Sequence, residues 1–307
     1  MWEAHSIQTG ADDFCARAEA LIALKRYAEA LALLQRATAA DPAAAQPHCL
    51  MAQALIELCR FGEALKAAES ATRLAPELEW PHRLRSISLS ALGRERESLQ
   101  AAREAVRISP DGAYGLHQLA LRLWMNWRRR EARETAARLL RVAPEDAATY
   151  ELLAWMAVDQ WQLKEGERLA RQALQLDPER AGAFSYLSRA LRWQRRGREA
   201  IDAGFEAVRL SPMNRVYRQE LVQSVQAYVV SGWAAIGVLF LLIFELIDHF
   251  QTPAFNRELQ LIVLLALVLL TGLGLYAWHE VRLRTLPPEV VDFYRQETRR
   301  SLTHPAR

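Results

Sequence analysis

The residues able to do covalent or metal chemistry are few in this chain, and they are scattered. Its 307 residues include three cysteines, Cys15, Cys49 and Cys59, and seven histidines. No CxxC pair, HExxH, GxSxG elbow or phosphate-cradling glycine loop occurs. Three cysteines are too few and odd in number for a disulfide framework, so they read as reduced thiols. An enzyme activity, a cofactor, a metal and a small-molecule substrate are therefore not expected. With 39 Lys and Arg against 36 Asp and Glu the net charge is +3, which argues against a dedicated nucleic-acid binder. Only 13 Gly and 12 Pro are present, which excludes collagen-like and disordered classes. What does recur is arginine at one interval: Arg26, Arg60, Arg94, Arg128 and Arg196, broken only by Gln162. A period of that length requires structural elements that repeat with it.

Proline marks the same interval. Pro42, Pro76, Pro110, Pro144, Pro178 and Pro212 stand 34 residues apart. With proline as position 32, six units begin at Ala11, Ala45, Glu79, Ala113, Ala147 and Ala181, and the last ends at Asn214. Position 8 is then Ala18, Ala52, Ser86, Ala120, Ala154 and Ser188, and position 20 is Ala30, Ala64, Ser98, Ala132, Gly166 and Ala200. Position 11 is leucine in every unit but the fifth, which has Ala157. Two antiparallel helices approach closely only where side chains are small, and a leucine column fills the space beside them. The proline stops each second helix.

These columns resemble the tetratricopeptide repeat, over about two thirds of the chain. The sequence departs from that pattern at position 7, where Arg17 and Arg85 replace apolar residues. It departs again at position 24, where Ala68, Ala102, Ala136, Ala170 and Gly204 replace a large aromatic. The resemblance implies an all-α, right-handed superhelical solenoid of six repeats whose first helices line a concave groove. Its stacked units bury their apolar faces only on one another and need an end cap. In that family the groove is lined mainly by positions 2, 5, 6, 9, 12 and 13. Here, in repeats three to six, these are Trp80, Arg83, Tyr114, His117, Gln118, Leu121, Trp124, Met125, Glu151, Trp155, Asp159, Tyr186, Arg189, Arg192 and Trp193. Repeats one and two offer Asp12, Cys15, Glu19, Gln46, Cys49, Gln53 and Glu57. Rigid aromatics among charges suit a peptide or protein partner, and Arg189, Arg192 and Trp193 on one helix point to an acidic segment. The alternative is that some tryptophans fold into the interhelix seam. The Lys and Asn set with which one variant of the family grips a carboxylate terminus is missing: Cys15, Glu19 and Leu50 stand there. His48 and His82, both at position 4, read as packing residues, and Cys15 and Cys49, at position 5, as reduced small residues facing the groove. The arginines of position 16 mark one edge of the solenoid. That edge is either simply solvated or, beside a membrane, a contact for anionic lipid.

After the repeats, residues 215–226 have helical spacing suited to a cap. The composition then turns apolar. Residues 227–247 carry one charge, Glu245, and residues 259–278 carry none. At 1.5 Å per residue each is about 30 Å of helix, enough to span a bilayer. The expected organisation is a leader over 1–10, repeats over 11–214, cap, first span, a loop over 248–258, second span and a tail over 279–307. Glu245, two residues from the end of its span, reads as an interfacial carboxylate. Arg215, Arg218, Arg282, Arg284 and Arg295 flank the two spans while the loop holds only Arg257, which places both termini in the cytoplasm. The first residues lack a signal peptide's basic start and apolar core. In the tail, Val290, Val291 and Tyr294 suit an amphipathic turn at the membrane surface. The expectation is a scaffold in a bacterial inner membrane that binds a protein or peptide. The alternative is an accessory subunit of a membrane complex recognised through its hairpin.

Overall fold

The computed structural model describes residues 2–231 and 257–303, with Val238, Leu241, Leu242 and Glu245 between them. The described residues hold fifteen helices and no strand. Twelve of the helices form six consecutive pairs. They are α1 (Trp2–Ala23) with α2 (Tyr27–Ala40), α3 (Ala45–Glu57) with α4 (Phe61–Leu74), α5 (Glu79–Ala91) with α6 (Glu95–Ile108), α7 (Ala113–Met125) with α8 (Arg129–Val142), α9 (Ala147–Asp159) with α10 (Leu163–Leu176), and α11 (Ala181–Trp193) with α12 (Gly197–Leu210). Then come α13 (Arg215–Val230), α14 (Arg257–Arg284) and α15 (Pro288–Thr303). The chain divides into an N-terminal block ending at Leu152 and a C-terminal block beginning at Leu153.

Every first helix ends in the same way. Position 15 takes a left-handed conformation, with φ of 58° at Lys25, 57° at Cys59, 75° at Gly93, 62° at Trp127 and Trp161, and 63° at Arg195. The next amide reaches back five residues, as from Arg26 to the Leu21 carbonyl (2.8 Å) and from Arg196 to that of Leu191 (3.0 Å). This is the Schellman closure, and only the third repeat uses the glycine that such a backbone favours. Each second helix stops ahead of its proline. Asp41 and Asp177 are extended there, with φ of −134° and −142°, because the proline ring crowds helical backbone in the preceding residue.

Small residues sit at the helix contacts. Ala18, Ala52, Ser86, Ala120, Ala154 and Ser188 are completely buried, as are Ala30, Ala64, Ser98, Ala132 and Ala200. Where serine replaces alanine its hydroxyl finds a partner: Ser98 donates to the Ser86 carbonyl (2.8 Å) and Ser188 to that of Ala200 (2.6 Å). At Gly166 an added Cβ would lie 2.5 Å from Val158 Cγ2, so α9 and α10 touch there through backbone.

The C-terminal end departs from the expectation in two ways. The cap runs to Val230, not 226, and Val229 is buried in a cluster with Ile201, Leu221, Val225, Leu283, Leu286 and Val290. The tail, for its part, is a helix packed on the solenoid. Val290 is buried, Val291 and Tyr294 lie against the same cluster, and Arg218 pairs with Glu297. The apolar stripe expected on a membrane surface is thus satisfied by α12 and α13. The base of α14 is bound to the same end: Trp278 Nε1 donates to the Val229 carbonyl (3.0 Å) and Arg198 to that of Thr285 (2.7 Å).

Among the described residues no helix is long and apolar enough to cross a membrane. The expected span over 227–247 and the loop over 248–258 lie, apart from residues 227–231, 238, 241, 242, 245, 257 and 258, outside the described residues. The expected span over 259–278 falls within α14.

Candidate protein-interaction site

In the N-terminal block the first helices of repeats three and four present aromatic and basic side chains together. Tyr114 is 74 % exposed, with the Arg83 guanidinium 5.0 Å from its ring centroid. Arg83 is held by Glu79, one turn earlier on the same helix (3.0 Å). Trp80, His117 and Leu121 are half-buried, and Met125 is exposed. Two expected groove residues are core residues instead. Trp124 is only 2 % exposed, lies 3.9 Å beneath the Arg129 guanidinium, and is among the largest fully buried side chains. Gln118 is buried and donates toward Ser86 Oγ (3.3 Å). Glu151 is half-buried and engaged with its neighbours.

In repeats one and two Cys15 and Cys49 are buried among the helix-packing residues rather than lining a groove. Burial drives the Cys49 thiol up to about 12, and burial followed by Asp12 and Glu19 raises that of Cys15. Both thiols are free and resist ionisation, so they are poor nucleophiles. Asp12, Glu19, Gln46 and Glu57 are exposed and Gln53 is half-buried; Gln46 donates to Glu19 (3.0 Å). His82 holds the Pro76 carbonyl through Nε2 (3.0 Å), and Tyr150, its equivalent in repeat five, holds that of Pro144 (2.9 Å). Position 4 therefore ties each of these repeats to the proline turn before it. Burial, and then Arg73, lower the pKa of His48 at the same position. No group of three His, Cys, Asp or Glu able to hold a metal occurs among the described residues.

In the C-terminal block the expected acid-binding pair is already filled. Glu220 of α13, 8 % exposed, takes Arg189 (2.7 Å) on one oxygen and Arg192 (2.8 Å) on the other. The two arginines therefore hold an internal carboxylate, not an open site for a ligand. Trp155 and Tyr186 are half-buried and Asp159 is exposed, each engaged with neighbours. Trp193 is 52 % exposed and meets Trp161, 64 % exposed, with ring centroids 4.8 Å apart and planes tilted by 60°. Sequence reasoning missed Trp161, although it stands 34 residues after Trp127 in the same column, position 15.

The arginine edge is neutralised along its length. Arg26, Arg60, Arg94, Arg128 and Arg196 each grip the glutamate three residues on, at 2.5 to 2.7 Å. Their hydrogen bonds hold Glu29, Glu63, Glu97 and Glu199 below the usual carboxylate range. In repeat five, where Gln162 interrupts the column, Glu165 turns to Arg168 (2.6 Å).

Paired helices with a constant Schellman turn, small contact columns and a proline stop define a tetratricopeptide-type solenoid, a fold that generally serves as a protein-interaction scaffold rather than a catalyst. Residues 21–82 match the tetratricopeptide repeat family. Among solved structures the chain is similar to the one titled APC/C hetero-tetramer Cut9-Hcn1, with 14 % identity, TM-score 0.62 and coverage of 72 % of this chain and 46 % of that one. It is also similar to TTC0263, a thermophilic TPR protein of Thermus thermophilus, with 20 % identity, TM-score 0.55 and coverage of 59 % and 98 %. A third is pilF of Pseudomonas aeruginosa, with 16 % identity, TM-score 0.55 and coverage of 70 % and 97 %. The chain spans under half the length of the first of these. A search of curated proteins found no match.

Proposed function

We propose that this chain is a membrane-anchored scaffold that holds a protein- or peptide-binding solenoid at the cytoplasmic face of a membrane. The observation that carries this reading is the surface of α14. Leu265, Val268, Leu269, Leu270, Leu273, Tyr276 and Val281 are all exposed. At 100° per residue they cover about 220° of the helix circumference, whereas a helix on a globular surface hides an apolar stripe and shows water its polar side. Exposed apolar surface on that scale calls for a cover. As a stretch of sequence the uncharged run 259–278 matches the thickness of a bilayer core, and Tyr276 and Trp278 at its end, followed by Arg282 and Arg284, have the composition of a membrane interface.

Docking of α15 on α12 and α13 adds a topological argument. The chain leaves α14 on the side of the last repeats, which supports an even number of crossings if α14 enters a bilayer. The apolar run 227–247 supplies the other crossing. Arginine placement supports the cytoplasm as that shared side. The partner surface is the face carrying Trp80, Arg83 and Tyr114, where an exposed ring and a guanidinium stand together.

The test uses the full-length chain, since truncation at residue 226 would uncover Val290 and Leu286 of the end cluster. The protein should stay with membranes after alkaline carbonate washing, and Leu269→Arg with Leu273→Arg should release it. Material captured from membranes should retain a partner that Tyr114→Ala loses, by about 1–4 kcal/mol for an anchor residue. Release of the unaltered chain by carbonate would end the anchoring reading. Retention of the partner by Tyr114→Ala and Trp80→Ala alike would move recognition to the hairpin.

A further inference from the structure

The Trp161–Trp193 pair is left unused by the surface assigned above. Trp161 occupies the tip of the turn between α9 and α10 at φ 62°, a conformation that costs a bulky residue of order 1–3 kcal/mol and that glycine would adopt freely. The Schellman turn presents a large ring to solvent there, against a second exposed ring, beside a shallow cleft lined by Gln162, Leu163, Lys164 and Gln194. The two indoles meet at a tilt at the turn edge, each with more than half of its surface in solvent.

The position of this edge identifies what covers it. The next turn along, Gln194–Arg196, leads directly into residues that touch the base of α14. Arg198 donates to the Thr285 carbonyl (2.7 Å), and a Cβ on Gly197 would meet Tyr228 at 2.9 Å. Tyr228 lies beside Arg282, whose guanidinium is 4.6 Å from its ring and 4.7 Å from that of Trp278. From Trp278, where the apolar run ends, to Thr285 is a rise of only about 10 Å. The turn of repeat six thus lies beside the segment where α14 leaves its apolar stretch, and the Trp161–Trp193 contact joins the turn of repeat five to it.

Charge points the same way. Arg196 and Arg171 are balanced by Glu167 and Glu199, and Glu165 by Arg168. Lys164 and Arg195 flank the tryptophans, are exposed, and form no ion pair among the described residues. The uncompensated charge of this edge is positive.

We propose that the turn edge of repeats five and six docks on the membrane surface, with Trp161 and Trp193 at headgroup depth and Lys164 and Arg195 against anionic lipid. Amphipathic rings and basic side chains are the residues that settle at that depth. The inference rests on the anchoring by α14 proposed above. It adds that repeats five and six lie fixed against the bilayer instead of swinging from the anchor.

The experiment uses the full-length chain with Cys59→Ser, reconstituted in vesicles of phosphatidylcholine with or without phosphatidylglycerol. A fluorophore is placed at Gln162→Cys or, for comparison, at Gln175→Cys at the end of α10. Quenching by a headgroup nitroxide lipid is read alongside resistance to carbonate. The expected result is strong quenching at position 162 and little at 175, greater with phosphatidylglycerol. Lys164→Ala and Arg195→Ala should each lower the docked-to-undocked ratio about fivefold, less at high salt, and Trp161→Ser with Trp193→Ser should abolish docking. A carbonate-resistant protein unquenched at position 162 would overturn the inference and leave the anchor intact. The same holds if the two positions quench equally. A protein that carbonate removes would sink the anchor itself, and the inference with it.

Discussion

Repeats three and four and the last repeat carry similar groove residues and put them to different use. In the first case Arg83 takes its carboxylate from Glu79 on its own helix, one turn away, and still covers a Tyr114 ring that faces solvent. In the second, Arg189 and Arg192 take theirs from Glu220 on the cap helix α13, which closes over them. A groove position fixes only where a side chain begins. Whether it meets a partner depends on what packs next, and at the end of a solenoid the cap packs next. The groove positions of repeats three and four thus stay open, while the C-terminal end is sealed by α13, the base of α14 and α15.

The sharpest break between open and sealed positions is at the tryptophans. Trp124→Ala empties a closed site and should cost about 3–5 kcal/mol in denaturant unfolding. Trp193→Ala, at an exposed ring, should change stability by less than about 1 kcal/mol. Equal losses would mean that burial does not separate them. Almost as large an effect is expected at the cap. Glu220→Ala leaves two half-buried guanidinium groups without their carboxylate, a loss of at most about 3–5 kcal/mol, whereas replacing both arginines and the glutamate together with apolar residues should recover much of it.

At the helix contacts, Ala120→Leu should cost about 1–3 kcal/mol by overpacking, and Arg128→Leu at the exposed turn much less. If the two proved alike, the repeat phase would be wrong. The smallest effect belongs to the arginine edge. Its glutamates have folded pKa values lowered by their arginines, so their contribution is present above the ordinary carboxylate pKa of about 4 and fades as pH falls through the lower folded value. Substituting Glu63 with Gln should remove a small part of the acid dependence of unfolding, and added salt should shrink it further.

The solenoid is legible in the sequence because close helix approach imposes a volume at fixed intervals. The alanine columns and the proline at every 34th residue record that volume. The Trp124 environment is not legible, since Arg129 closes over it only once the turn at Trp127 has formed. Nor is the pairing of Glu220, which lies 28 and 31 residues from its arginines and depends on how α13 seats. Trp161 is legible: it repeats Trp127 in a column otherwise filled by Lys25, Cys59, Gly93 and Arg195, so the two aromatics stand out at a turn position that is elsewhere polar or small. The stripe of Val290 and Tyr294 could be read as apolar, but nothing in the residues says that its cover is α12 and α13 rather than lipid.

The proposed anchoring has the chain cross a membrane twice and return its tail to the side of the last repeats. The direct measurement is labelling of the full-length protein, with Cys59→Ser, in right-side-out vesicles by an impermeant thiol reagent. A cysteine at Thr252 should be modified from outside, and one at Ser301 should react only after the vesicles are opened. Labelling of Ser301→Cys from outside with Thr252→Cys protected, or of both alike in sealed vesicles, would contradict the account.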